Sequence, residues 1–367
     1  MTKVSQERRR ITIIGLGLIG GSIGLALKAA GLPDVEMVGH DRERGSEGLA
    51  RKMGAIDTAE HNLPRAVEGA GMVIIATPIL AIREVMEQIA PDLREGCVVT
   101  DTGSTKERVL EWATQLLPPH VSFVGGHPMA GKETPGIDNA EADLFRGRAY
   151  CLCPAVDAHE DAVRAVVNLV RLIGAEPMFL DPKEHDQYAG AVSHLPLVVS
   201  AALFTLLRTS PAWRDLAPMA SSGFRDVTRL ASGDPRMSHD IFLTNREAAV
   251  HWLERMIEEL GRYRDLLEGD AEELLETFAR AQMERDTFIA QPHAARLEEE
   301  KPDVRQELMN SLMGGWVSDR LRKARELPGA IKGAEAARAE ERQGRAAQVA
   351  EDIRRDLEKL NKTDRGG

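Results

Sequence analysis

The sequence predicts an α/β protein, with an N-terminal doubly wound, Rossmann-type domain followed by an all-helical C-terminal dimerisation domain. Three observations predict it. Over the first half, short apolar runs alternate with amphipathic segments, the pattern of a mostly parallel sheet whose two faces are covered by helices. A G-x-G-x-x-G motif follows the first apolar run at once. Beyond Pro182 the strand signals stop, and long stretches of helical periodicity take over.

The strand candidates are Ile11 to Ile14, Glu36 to Gly39, Met72 to Ala76, Cys97 to Asp101, Ser122 to Gly125, Ala149 to Cys153 and Pro177 to Leu180. With the helical patterns between them they form a first domain over residues 8–181. The second domain, residues 182–290, carries helical patterns from Glu184 to Arg208, His239 to Glu268 and Ala271 to Ala290. Leu195 to Leu207 is apolar nearly all round, which predicts burial on every side at a subunit interface, and so a homodimer. Residues 291–367 turn to Glu, Arg, Lys and Ala, reading as a solvated helix with interleaved charges or as a partly disordered tail.

Composition narrows the functional classes. A chain of 367 residues that is 43% apolar and 29% charged can bury a sizeable core. Its net charge of −11 argues against nucleic acid and anionic membranes as partners, since both call for basic faces. Cys97, Cys151 and Cys153 have neither the number nor the spacing of a disulfide framework or a metal finger, which predicts reduced thiols in a cytoplasmic protein with no metal. Arg8-Arg9-Arg10 before the apolar run Ile11 to Leu27 imitates a secretory signal. The glycines inside that run and the interruption at Lys28 argue instead for a strand, turn and helix. No later stretch reads as a membrane span.

In Ile14-Gly15-Leu16-Gly17-Leu18-Ile19-Gly20 the first glycine permits the turn, the second admits a pyrophosphate to the backbone, and the third lets helix and strand pack closely. Gly15, Gly17, Leu18, Ile19 and Gly20 are therefore candidate cofactor contacts. Asp41 ends the second strand 21 positions after Gly20, where a carboxylate meets ribose hydroxyls and repels a 2′-phosphate. This predicts NAD; Arg42 beside it keeps NADP open. Thr77, Pro78 and Asp101 stand at carboxyl ends of strands, where open α/β sheets bind ligands and where turn residues are also common.

Two histidines stand out. His127, in Gly125-Gly126-His127-Pro128, lies on a loop after a strand and faces a cleft rather than a core. His194, in Ser193-His194-Leu195-Pro196, lies on an apolar helix and is either functional or a satisfied core residue.

G-L-G-L-I-G, D-T-G-S-T-K at Asp101 to Lys106, G-G-H-P-M-A-G at Gly125 to Gly131, S-H-L-P at Ser193 to Pro196 and G-F-R-D-V-T-R at Gly223 to Arg229 together resemble the prephenate dehydrogenase family, including its arogenate-using members, over about residues 8 to 290. The resemblance implies NAD(P)-dependent oxidative decarboxylation of prephenate to 4-hydroxyphenylpyruvate in tyrosine biosynthesis, by a dimer whose helical domains intertwine. It makes His127 the catalytic base and Ser104 the residue that positions it; a helix N-cap for the segment from Thr105 is the other role open to Ser104. Arg229 matches a carboxylate-binding arginine, and His194 a histidine that meets substrate from the helical domain. Arg225 and Asp226 are further substrate-site candidates, Asp226 either pairing with an arginine or gating the site from a neighbouring subunit.

The chain departs from some members at Ser238, near which they carry a substrate-pocket tryptophan; Trp252 or Phe242 is the substitute. It also lacks the alternating pattern of a C-terminal regulatory domain. A β-hydroxyacid-type dehydrogenase would rely on a lysine in the helical domain, where this chain offers His194 and Arg229. A non-catalytic NAD sensor would need neither His127 nor Arg229.

Overall fold

The structure, a computed structural model, describes residues 9–290 apart from 33, 133 and 270; the charged segment 291–367 lies outside the described residues. The described chain forms two compact units, one ending at Ile257 and the other starting at Glu258.

The first unit is built on one sheet of eight strands: β1 (Arg9–Ile14), β2 (Val35–His40), β3 (Thr58–Ala59), β4 (Ala70–Ile75), β5 (Val98–Asp101), β6 (Ser122–Pro128), β7 (Ala149–Pro154) and β8 (Glu176–Phe179), in the order 3-2-1-4-5-6-7-8. Pairing is parallel except between β6 and β7. All seven strands read from the sequence are present. The eighth, β3, is two residues long and carries no alternation to read.

Helices α1 (Leu18–Ala30), α2 (Arg44–Met53), α3 (Leu63–Val67), α4 (Ile79–Ile89), α5 (Glu107–Leu116) and α6 (Glu160–Leu172) cover the sheet. β4 is buried at all six positions, as a strand sandwiched between helical layers must be. One core forms where Ile11, Ile13 and Met72 meet Ile23 and Leu27 of α1, the other where Ile14, Val73 and Val99 meet Ile82 and Met86 of α4. The strand order reverses between β1 and β4, so the loops after these strands flank the crevice in which such sheets bind ligands.

The unit continues through α7 (Pro182–Ala189), α8 (Leu195–Arg208), α9 (Trp213–Leu216), α10 (Ser222–Thr228), α11 (Pro235–Thr244) and into α12 (Arg246–Glu268). Two of the long helical segments read from the sequence are interrupted. A π-helical turn over Gly190–His194 separates α7 from α8, next to Pro196, which has no N–H to extend a regular ladder. Asn245 separates α11 from α12.

The burial of α8 on every side, expected at a subunit interface, is not provided among the described residues of one chain. Ser200 alone in this helix is buried, and Leu206 is 68% exposed. Among the described residues, none supplies the surface that would cover this apolar helix. The stretch Pro182–Arg208, in contrast to the expectation that no later segment spans a bilayer, is long and apolar enough to cross a membrane by length and composition, with a mean hydropathy of 1.8 over an 18-residue window. Its continuous apolar part is the 14-residue α8, which at about 1.5 Å per residue falls short of a hydrocarbon core of about 30 Å.

In the second unit, α13 (Ala271–Ala290) follows the end of α12, and Tyr263 packs edge-on against Phe278 with ring centroids 5.7 Å apart. Cys97, Cys151 and Cys153 are all free and buried, in keeping with reduced thiols.

Candidate active site

The loop after β1 has the shape a dinucleotide requires. Gly15 sits at φ +92°, and a Cβ on Gly20 would lie 2.0 Å from the Gly15 carbonyl oxygen, so neither position accepts a side chain. A Cβ on Gly17 would meet nothing within 4 Å; it would project into open space at the start of α1. Gly17 is the N-cap of α1 and offers no side-chain cap, which leaves the first N–H groups of the helix, from Leu18, Ile19 and Gly20, for an anion. Opposite, Thr77 Oγ1 after β4 is buried with no hydrogen-bond partner among the described residues. Pro78 opens α4, again without a side-chain cap. Asp41 follows β2, and its carboxylate accepts from Leu16 N at 2.7 Å and Glu43 N at 2.8 Å, which fixes it against the glycine loop. These features fit a dinucleotide.

Gly17→Ala isolates the phosphate contact from folding. The variant should retain the secondary structure and thermal midpoint of the parent, because the added methyl meets no protein atom. NADH affinity, by fluorescence titration, should fall by more than about tenfold, equivalent to ~1.4 kcal/mol; unchanged affinity would place the pyrophosphate elsewhere.

Asp101 does not face this groove. Its side chain is fully buried, with Oδ2 accepting from Lys106 Nζ at 2.5 Å and Gly103 N at 2.8 Å, and Oδ1 from Gly126 N at 3.0 Å. The carboxylate is an internal strut, which corrects its reading as a cofactor contact. Lys106, also fully buried, donates in addition to the Gly126 carbonyl at 2.7 Å. A Cβ on Gly126 would lie 2.5 Å from the Asp101 carbonyl oxygen, so only glycine lets β6 approach this pair. Asp101 and Lys106 thereby hold the strand segment that presents His127.

Ser104 does not cap a helix at Thr105. Helix α5 begins at Glu107, and its N-cap residue, Lys106, provides no side-chain cap. The cap comes from a distant residue, Asp186 of α7, whose carboxylate accepts from Lys106 N at 2.7 Å and Glu107 N at 3.0 Å. His185 Nδ1 lies 2.8 Å from Asp186 Oδ1, and His185 Nε2 lies 2.9 Å from His127 Nδ1. Burial, then the neighbouring His185, Lys106 and His194, hold His127 well below the ordinary histidine value, so the ring is neutral at physiological pH.

His194 ends the π-helical turn and is fully buried. Asn245 Nδ2 donates to the Asp186 carbonyl at 2.7 Å and sits 3.2 Å from His194 Nδ1. His194 Nε2 is buried with no partner among the described residues, so the ring is not a satisfied core residue. Burial is also the main reason its pKa is pushed down to about 4. Phe242 packs edge-on against it, with centroids 6.3 Å apart, whereas Trp252 donates its Nε1–H to the Gln187 carbonyl at 3.0 Å.

The structure thus gathers His127, His194, Asp101 and, unforeseen, Lys106, His185, Asp186 and Asn245. It does not bring Arg225, Asp226 and Arg229 into this network. They lie exposed on α10 and the turn after it, a segment tied to α8 by the Ala231 N to Ser200 Oγ hydrogen bond of 3.0 Å.

A family model described as the prephenate dehydrogenase nucleotide-binding domain matches residues 23–178, and one described as the prephenate dehydrogenase dimerization domain matches residues 181–280. The prephenate dehydrogenase of Bacillus subtilis is 36% identical over 289 residues, 77% of each chain. The crystal structure of prephenate dehydrogenase from A. aeolicus in complex with hydroxyphenyl propionate and NAD+ superposes with a TM-score of 0.72 at 29% identity, covering 77% of this chain and 99% of that one. The arogenate dehydrogenase of Synechocystis gives 0.66 at 29% identity, covering 76% and 99%. Two domain matches in tandem and a relative at this identity over most of both chains make this chain a member of the prephenate dehydrogenase family.

Proposed function

We propose that the chain catalyses the NAD-dependent oxidative decarboxylation of prephenate to 4-hydroxyphenylpyruvate, in the cytoplasm and as a homodimer. The observation that carries this reading is the pairing of a neutral His127, at the carboxyl end of the sheet beside the nucleotide loops, with a buried His194 whose Nε2 has no partner among the described residues. Prephenate is a dianion with a ring hydroxyl on C4. His127 accepts that hydroxyl's proton as the C4 hydride departs. Bound NAD supplies the hydride acceptor. Breaking the bond between the ring and its carboxylate releases carbon dioxide, and the electron pair left behind makes the ring aromatic. His194 faces the substrate with Nε2, and Asp41 favours NAD by repelling a 2′-phosphate.

Following NADH absorbance with prephenate and arogenate, each with NAD and NADP, tests the reading. Absence of turnover with either acid would overturn it. The Synechocystis relative makes arogenate the substrate to compare, because the two acids differ in a keto or an amino group on the side chain.

Ser104 is proposed to position His127 and the nicotinamide. Arg229 is proposed to clamp a substrate carboxylate, with Arg225 and Asp226 at the margin of the pocket. Their exposure in the single chain fits a site completed by association of two copies through the uncovered α8. Arg229→Ala should raise KM for prephenate by the equivalent of about 2–5 kcal/mol with little change in kcat, if the clamp is buried in the dimer. An unaltered KM would move the role to Arg225, and a monomeric mass by light scattering would remove the dimer.

A further inference from the structure

We infer that His185 and Asp186 of α7, together with Asn245, set the two site histidines to opposite hydrogen-bonding polarity, making His127 Nε2 an acceptor and His194 Nε2 a donor. The inference assigns positioning residues and rests on the functional reading above.

The argument for His127 runs by elimination along a chain of hydrogen bonds. The Asp186 carboxylate is anchored by two N–H groups of the first turn of α5 and can only accept. His185 Nδ1, 2.8 Å away, must therefore carry its proton. A His185 ring with that single proton then has a bare Nε2. His127 Nδ1, 2.9 Å from it, must donate. The proton of neutral His127 is thus held on Nδ1, and the lone pair that can take up a substrate proton is on Nε2. A carboxylate that fixes the tautomer of a base through an intervening group has the logic of the serine protease triad, with one more imidazole in the line.

The argument for His194 uses the same helix. Asn245 Nδ2 faces the Asp186 carbonyl, an obligate acceptor, at 2.7 Å, which fixes the orientation of its amide. The second hydrogen of that NH₂ group points at His194 Nδ1, 3.2 Å away. His194 Nδ1 accepts, so its proton sits on Nε2, the buried atom with no partner among the described residues. A donor there suits an anionic group on the substrate. Asp186 thus serves one histidine through its side chain and the other through its carbonyl, and the opposite roles of the two rings follow from a single position in α7.

The test reads tautomers directly. Protein labelled with ¹⁵N in its imidazoles, at pH 8 without substrate, is examined by long-range ¹H–¹⁵N correlation, with His127→Gln and His194→Gln assigning the two signals. The expected result is an Nδ1–H ring for His127 and an Nε2–H ring for His194. An Nε2–H ring for His127, as a doubly protonated His185 would impose, overturns the inference. His185→Leu should release His127 to the other tautomer and lower kcat by roughly 10- to 100-fold, with KM for NAD unchanged. His185→Gln, whose side-chain carbonyl can accept from His127 Nδ1, should restore most of the rate. Equal losses in the two variants would make His185 a packing residue and overturn the relay. Because the spectrum needs no turnover, the expected tautomers in an enzyme inert towards prephenate would leave the polarity assignment standing and remove the functional reading alone.

Discussion

His127→Ala is expected to lower kcat with prephenate by about 10²–10⁴-fold while changing KM little, the pattern of a group engaged in the transition state rather than in ground-state binding. The expectation comes from the position of the ring as much as from its identity. Strand β6 carries it to the carboxyl edge of the sheet, Gly126 lets that strand close onto the Asp101–Lys106 pair, and His185 abuts the nitrogen that faces the protein. What remains for the substrate is a neutral imidazole. Burial and three neighbours, two of them histidines, hold its pKa below the ordinary value of 6.5, so the deprotonated, active form persists as the solution is acidified to that pH. The acid limb of kcat/KM in the parent enzyme should therefore lie below 6.5 and vanish from the residual rate of the alanine variant. Stopped assays across the acid range check both, and unchanged turnover in His127→Ala would reduce the residue to a structural one.

How much of this was legible in the sequence differs between the cofactor half and the substrate half. The glycine loop and Asp41 could be read because each residue there answers a local backbone demand. A turn needs φ > 0 at Gly15, a helix packs against Gly20, and a carboxylate ends β2, all within about one βαβ unit. The strands could be read because burial on both faces writes a continuous apolar run. The polar framework under His127 could not. Asp186 caps a helix 80 residues earlier in the chain, and the dipeptide His185-Asp186 reads only as polar residues in the first turns of a helix. Asn245 reads as a helix end, which it is, and nothing local marks the amide as reaching His194. Asp101 was misread for the complementary reason. Its place at the end of a strand suits a ligand contact, and only the fold reveals Lys106 lying against it. The apolar circumference of α8 was legible too, as the mark of a helix made for an interface, and among the described residues it is largely unburied.

The same buried pair sets the largest expected effect on stability. Lys106→Ala should destabilise the fold by about 3–5 kcal/mol, because it strands the Asp101 carboxylate in a site with no solvent. Both side chains are fully buried, and the carboxylate would retain only the N–H groups of Gly103 and Gly126. Set against total stabilities of about 5–15 kcal/mol for single domains, the loss would leave a protein that unfolds in mild urea. Surface ion pairs such as Arg108–Glu111, both partners exposed, should by contrast be worth well under about 1 kcal/mol. A double-mutant cycle separates the pair from the cavity. Asp101→Asn combined with Lys106→Met removes both charges while keeping much of the volume, and should recover a large part of the stability lost by Lys106→Met alone. Urea midpoints for the four proteins decide it. If the double variant is no more stable than the single lysine variant, the cost lies in the loss of the Nζ hydrogen bond to Gly126, and the strand that carries His127 is held by that bond rather than by the pairing of charges.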